Sequence, residues 1–412
     1  MKYYPLRPVQ RWLIDTHFNK AKSTMMNIGG LFKFSSQLDT QRLVNAINTV
    51  LNAHDIFHCR LVFHPETSEL CQTFDNEIFP VIIEEWTDEE FKLIKNYLSE
   101  PYDLIGKPLY RIYIFKTPSA NYFYADFYHA IIDGVASSYL FVREVDGVYR
   151  GRNKKKSPSY AEYIEEEAAI PPEELAEGHE YWRNMLKGFD ERKHLPPATV
   201  KGVSAWTQGN FDYEIKNFTE EFFRKNHRTE NNYFLGACML TLAKITGSKE
   251  SIMSWIHNGR TNMRERRIMG LMLEQYPCAW DFHEDISVET FLDKLMGQIQ
   301  TGMTYRKSLD IVYNEGLEDD CVSFIFQKYI NGDLMIADTT AEVVYMPPNE
   351  LSAVENALDI EFRETDTGFY NLFLDYDASR YSEKDMQHFA ATLNEIVLEM
   401  KNPDAKVSEI LS

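Results

Sequence analysis

The stretch Tyr128-His129-Ala130-Ile131-Ile132-Asp133-Gly134 sets an imidazole four residues ahead of a carboxylate and next to a glycine-bounded turn. A neutral histidine can take a proton from an amine or hydroxyl as it attacks an acyl carbonyl, and its ordinary pKa near neutrality suits that work. Other chemistries lack their residues. His54, His58 and His64 lie in a separate segment with no metal-ligand spacing, and there is no HExxH or paired-carboxylate motif. Neither a GxSxG nucleophile elbow nor a glycine-rich phosphate loop is present. The His-x-x-x-Asp spacing taken alone describes a structural histidine as well as a catalytic one.

The elements around it give the histidine a position. Residues 122–128 form an aromatic run that reads as a buried strand, and Val135, Tyr139, Val142, Val145 and Val148 recur at helical spacing after Gly134. His129 therefore falls in a loop held between a strand and a helix, where functional groups concentrate. Asp133 is placed to cap that helix, and Gly134 to allow close approach at its first turn. Pro108 to Phe115 reads as the neighbouring strand across a turn at 118–121, and Ile28 to Phe34 as another. Helices are expected after Arg11, after Asp39, over about 87–99, over Tyr160 to Ala169 and over Glu173 to Leu186. Later come a helix from Asn231 to Thr246 closed by Gly247, a strand over 251–256, a helix over 291–300 and a strand over 321–327. An antiparallel pair, 357–363 and 370–376, and a closing helix, 386–400, complete the order. Irregular alternation of this kind favours a mixed α/β sandwich.

The 412 residues exceed one ordinary core, which predicts two domains, 1–170 and 171–412, with the crossover at Ile170-Pro171-Pro172. With 44% hydrophobic residues both can be filled. A net charge of −20 argues against nucleic acid as partner. Cys59, Cys71, Cys238, Cys278 and Cys321 are scattered, without CxxC spacing, and read as reduced thiols. No long apolar run occurs, so a soluble, cytoplasmic protein without membrane contact is expected. Arg152, Lys154, Lys155 and Lys156 form the one basic run in an acidic chain. Such a run is either a solvated loop or a contact for an acidic protein or a phosphate.

Tyr128 to Gly134 resembles the HHxxxDG motif of nonribosomal peptide synthetase condensation domains, members of the chloramphenicol acetyltransferase-like superfamily. Further matches follow in order along the chain. Residues 5–13 resemble the first family motif, 53–61 the RHExLRTxF motif, and Tyr160 to Tyr163 the YxDY motif. Gly259-Arg260 is similar to the arginine closing a central strand, and 269–277 to the GxFVNT-x-P segment. The resemblance implies two acetyltransferase-like lobes in a V-shaped pseudodimer, with the site in a central tunnel. It implies an acyltransferase that joins a thioester-bound acyl group to an amine on a carrier protein, in the assembly of secondary metabolites such as antibiotics. His129 then matches the functional histidine, Asp133 the structural aspartate, and Gly134 the motif glycine, where a side chain would narrow the path of the phosphopantetheine arm. Arg260 is the expected partner of Asp133, against the plainer readings that Asp133 only caps its helix and that Arg260 is a surface residue. Tyr128 stands where the family has its first histidine, His58 where it has an arginine, and Glu274 where it has an asparagine. His257, Asn258 and Ser323 are candidates for lining the tunnel, or structural polar residues.

No intrinsic cofactor or metal is implied; the acyl group would arrive on a phosphopantetheine arm or as a coenzyme A thioester. Acyl and peptidyl carrier proteins and an adenylation domain or other synthetase modules are the implied partners of a monomeric chain. Because the first motif begins directly after Met1, a starter role with an acyl-CoA or separately carried donor is also considered. Two alternatives stand beside the leading one: a coenzyme A-dependent O-acyltransferase of the same superfamily, and a catalytically silent module that binds carrier proteins.

Overall fold

In the computed structural model the chain alternates helices and strands from end to end. Residues 1, 21, 36–37, 154–155, 190–194, 202–206, 317–321, 329–334, 337–338 and 347–348 lie outside the described residues, and with them Lys154, Lys155 and Cys321. The elements of the first half are α1 (Pro8–Asn19), β1 (Asn27–Ser35), α2 (Thr40–Ala53), β2 (Arg60–Phe63), β3 (Leu70–Thr73), β4 (Ile82–Glu85), α3 (Asp88–Ile94), β5 (Tyr110–Lys116), β6 (Ala120–Tyr128), α4 (Phe141–Tyr149) and α5 (Tyr160–Ala168). Next come α6 (Pro172–Leu186), β7 (Gln208–Glu214), α7 (Glu220–Asn226), α8 (Glu230–Thr246), β8 (Glu250–His257), β9 (Glu274–Asp281), α9 (Val288–Thr304) and α10 (Asp310–Asn314). The last are β10 (Val322–Gln327), β11 (Met335–Ile336), β12 (Thr339–Thr340), β13 (Glu342–Val344), β14 (Leu358–Glu364), β15 (Tyr370–Asp377), α11 (Glu383–Glu399) and α12 (Val407–Leu411).

These elements divide into two compact units. One holds residues 1–171, 258–273 and 332–352; the other holds 172–257, 274–331 and 353–412. The first break falls at Pro171-Pro172. Where the sequence predicts a single crossover, two later segments also belong to the first unit.

In the first unit a sheet runs in the order β13-β1-β6-β5-β4, parallel only between β4 and β5. β6 lies between β1 and β5, so its main-chain groups are paired on both sides and its end is fixed. Leu31, Phe91, Phe115 and Tyr124 pack on one side of the sheet beneath α3. α2 carries Leu43, Ile47, Val50 and Leu51 as a buried stripe, the spacing read from the sequence, with Asp39 capping through Arg42 N.

In the second unit the order is β7-β15-β14-β10-β8-β9, with β10 parallel to β14 and β8. α8 is apolar on nearly every face because it runs through the interior: twelve of its residues, from Asn232 to Ala243, are buried. Gly247 ends it in the left-handed conformation, φ +68°. The β14–β15 hairpin turns at Gly368, φ +77°. Among the described residues, no helix is long and apolar enough to cross a membrane. Cys59, Cys71, Cys238 and Cys278 are buried and free.

Candidate functional site

His129 follows directly on β6, and its backbone is clamped from two directions. Tyr128 N donates to Leu109 O at 2.9 Å and His129 N to Met26 O at 2.8 Å. The chain then turns, with Ile131 N bonded to Tyr128 O and Ile132 N to His129 O. This turn brings the Ile132 carbonyl 3.1 Å from His129 Nδ1. A carbonyl oxygen only accepts, so Nδ1 carries the hydrogen and Nε2 presents its lone pair. Burial pushes the ring's pKa below the usual 6.5, against a smaller opposing pull from its own backbone and from the Asp133 carboxylate. The residue as a whole is half-buried.

Asp133 divides its carboxylate. Oδ1 accepts from Ala136 N at 2.9 Å and so caps the following helix, which opens with a π turn over 135–140 before α4. Oδ2 accepts from Arg260 Nη1 at 2.7 Å, from Met272 N at 2.7 Å and from Leu273 N at 3.2 Å. Capping and ion pairing are alternatives in the sequence; in the structure the two oxygens do one each. Arg260 is no surface residue: its guanidinium is buried and also donates to the carbonyls of Asn258, Ile268 and Gly270. The Met272 and Leu273 amides carry no signal in the sequence, because any residue but proline offers an N–H.

Gly134 requires a correction. Its φ of −57° and ψ of −38° are ordinary right-handed values, and a Cβ built there meets nothing within 4 Å. The close approach expected within this chain is absent, and the position opens onto free space.

Segments far apart in the sequence support this loop. Gln10, fully buried, donates from Nε2 to Ala130 O at 2.9 Å and exchanges amide bonds with Gln72. Arg7 grips Glu167 through Nε at 2.6 Å and reaches Leu271 O at 2.8 Å. Asp55 accepts from Ser159 Oγ, Tyr160 N and Ala161 N, fastening the start of α5. Gly270, φ +158°, lies where a Cβ would sit 2.5 Å from the Tyr160 ring. A glycine is needed at that contact, and Tyr160 Oη donates to the next carbonyl, Leu271 O.

Tyr128 is fully buried, its ring edge-on to His17 at 5.4 Å and tilted against Tyr102 at 5.7 Å. His58 Nδ1 bonds the Asn76 carbonyl at 2.5 Å, joining the segment before β2 to the one after β3. Asn258 is exposed and its Oδ1 accepts from Arg260 N. His257 and Ser323 lie in the second unit. His257, at the end of β8, packs against Trp255 and Tyr276, and its pKa is lowered by burial and then by Arg306. Opposite it on β9, Glu274 is buried and accepts from Tyr276 Oη at 2.5 Å. Ser323 donates to Asp359 Oδ1 at 2.5 Å, and burial raises that carboxyl to about 6. The structure thus groups Tyr128, His129, Asp133, Gly134, Asn258 and Arg260 within one unit. Among the described residues, no cluster of His, Cys, Asp or Glu could hold a metal.

The mixed α/β fold thus carries a neutral histidine at a strand end, with a buried aspartate–arginine pair holding its loop. The sequence model of the condensation domain matches residues 1–412, and the chain belongs to that family. Among curated relatives, tyrocidine synthase 3 of Brevibacillus parabrevis is 22% identical over 99% of this chain, and gramicidin S synthase 2 of Aneurinibacillus migulanus is 23% identical over 99%. The chain spans 6% and 10% of the length of those two proteins. Among solved structures, the condensation domain from the monacolin K polyketide synthase MokA matches with a TM-score of 0.82 at 18% identity, covering 99% of each chain. The starter condensation domain of rhizomide synthetase RzmA matches at 0.79 and 14%, covering 99% of this chain and 98% of its own.

Proposed function

We propose that this chain forms an amide between a thioester-bound acyl group and an amine acceptor on a carrier protein, in nonribosomal peptide assembly. The observation that carries the reading is the tautomer of His129: with Nδ1–H tied to Ile132 O, the neutral Nε2 keeps its lone pair as a proton acceptor. The acceptor's amine attacks the thioester carbonyl and its N–H proton passes to Nε2. As the tetrahedral intermediate collapses, the C–S bond breaks and the proton leaves with the thiolate, so the histidine is restored. The Gly134 backbone N–H is the donor assigned to the oxyanion. Asp133 and Arg260 touch no reacting atom and serve to hold the loop.

Family membership and synthetase relatives support this reading. A variant of the rhizomide starter domain, similar in fold at a TM-score of 0.77 and 14% identity, has been captured in complex with C8-CoA and Leu-SNAC. The test is to incubate the purified chain with a panel of acyl-CoA and carrier-bound acyl donors, against aminoacyl thioesters and simple alcohols, with products read by mass spectrometry. Amide product that disappears in His129→Ala supports the proposal. Ester product alone would move the chain to the O-acyltransferases, and carrier binding with no product from any pair would make it a silent binding module. Preference for acyl-CoA over carrier-bound donors would assign a starter role.

A further inference from the structure

In a chain of net charge −20, two segments of the first unit are rich in exposed cations. Arg152 and Lys156 stand exposed in the segment after α4, and the 258–273 segment presents Arg264, Arg266 and Arg267, all exposed. The two segments touch: Arg267 Nη2 donates to the Lys156 carbonyl at 3.0 Å. Arg264 is committed to Glu166 of α5. Arg152, Lys156, Arg266 and Arg267 have no carboxylate partner among the described residues. In the same segment as Arg266 and Arg267, Met263 is 73% exposed, a flexible apolar side chain open to solvent.

The backbone that carries these cations is tied down. Glu265, buried in an otherwise exposed turn, accepts from Thr261 N at 2.8 Å and Thr261 Oγ1 at 2.9 Å. Asn262 Oδ1 accepts from Arg264 N and Glu265 N, closing the tip on itself. The segment bearing Lys156 is anchored in turn where Asp55 receives Ser159, Tyr160 and Ala161. Fixing the Arg267 and Lys156 segments against each other brings like charges together at a cost in self-repulsion that a mobile loop avoids. An exposed methionine in the same segment as Arg264, Arg266 and Arg267 joins the two ingredients of an interface, apolar surface and charge.

We propose that this face docks an acidic protein, with Met263 meeting an apolar side chain and Arg152, Lys156, Arg266 and Arg267 meeting carboxylates. The partner is the acidic carrier protein that brings a thioester to His129. Its identity as a carrier rests on the proposed function; the surface itself does not.

The test measures binding of a fluorescently labelled, phosphopantetheine-loaded carrier domain of net negative charge to the full chain by anisotropy. Arg266→Glu/Arg267→Glu should weaken binding by about tenfold and flatten its salt dependence. Met263→Ser, which leaves the charge untouched, should weaken it severalfold at all salt concentrations. Lys225→Glu/Lys384→Glu, the same change in net charge placed in the second unit, should bind as wild type. Turnover of soluble acyl-CoA and aminoacyl thioester substrates, which need no docking, should be equal in all four proteins. Wild-type binding by the patch variants, equal weakening by the Lys225/Lys384 variant, equal affinity for a DNA oligonucleotide, or no carrier binding by the wild type overturns the proposal. A wild type that binds the carrier through this face yet turns over no substrate refutes the proposed function and leaves the docking surface standing.

Discussion

Arg260 Nη1 lies 2.7 Å from Asp133 Oδ2 across 127 residues of sequence, and both side chains are 3% exposed. The pair joins the loop that carries His129 to the 258–273 segment, whose Met272 and Leu273 amides bind the same oxygen. Removing one member of such a buried pair leaves a charge without its counterion. Arg260→Ala should cost about 3–5 kcal/mol in urea unfolding. Arg260→Lys, which keeps the charge but not the fork of donors, should recover part of that. A loss below about 1 kcal/mol for the alanine variant would show that the backbone donors hold Asp133 without the guanidinium.

His129→Ala should reduce amide formation by about 10²–10⁴-fold while leaving the circular dichroism spectrum unchanged. In the wild type the reactive form is neutral, so kcat/KM should fall as acid protonates Nε2, with a midpoint below 6.5 because burial depresses the ring's pKa. A limb centred above 6.5 would assign the titration to another group. The stability sign is the same: the unfolded histidine takes up a proton in a window where the folded one resists it. That contribution is lost as pH falls through 6.5 towards the depressed value, and the alanine variant should lack it.

Gly134→Ala separates a backbone role from a spatial one. With φ −57° and open space at Cβ, the variant should be as stable as wild type or gain roughly 0.5–1 kcal/mol. Turnover should fall all the same, because the added methyl stands in the path assigned to the pantetheine arm. Unchanged turnover would remove Gly134 from the substrate's path.

Asp126, three residues before His129, is a buried carboxyl whose pKa is pushed up to about 7 by desolvation, which outweighs Arg111 at 3.5 Å and the bond from Asn27 Nδ2 at 3.0 Å. Its folded pKa lies above its unfolded one, so its contribution to stability is full at low pH and is lost as pH rises through about 7. Asp126→Asn imitates the protonated form. The fall in Tm between pH 5.5 and pH 8.5 should therefore be smaller in the variant than in wild type, and an equal fall would show that Asp126 stays ionised throughout.

Much of the local structure could be read from residue order. The aromatic run into β6, the Asp39-capped stripe of α2, the apolar α8 ended by Gly247, and the β14–β15 hairpin at Gly368 each follow from periodicity or from one residue's conformational preference. His129 was legible for the same reason: it stands where one period gives way to another. The strands β4, β7 and β9 do not stand out in the sequence, and β9, Glu274–Asp281, is marked there only by its overlap with the 269–277 segment.

What tertiary structure decided is which distant groups meet. The return of 258–273 to the first unit, the Met272 and Leu273 amides on Asp133 Oδ2, and the seat of Gln10 under Ala130 rest on main-chain donors and acceptors, as does the nearby Ile132 carbonyl that sets the His129 tautomer. Every residue carries such groups, so they leave no mark in composition or spacing. Side-chain pattern determines the elements and the identity of the reactive ring. Its tautomer is set by a carbonyl three residues on, but the rigidity of its loop depends on hydrogen bonds that exist only once segments more than a hundred residues apart have packed together.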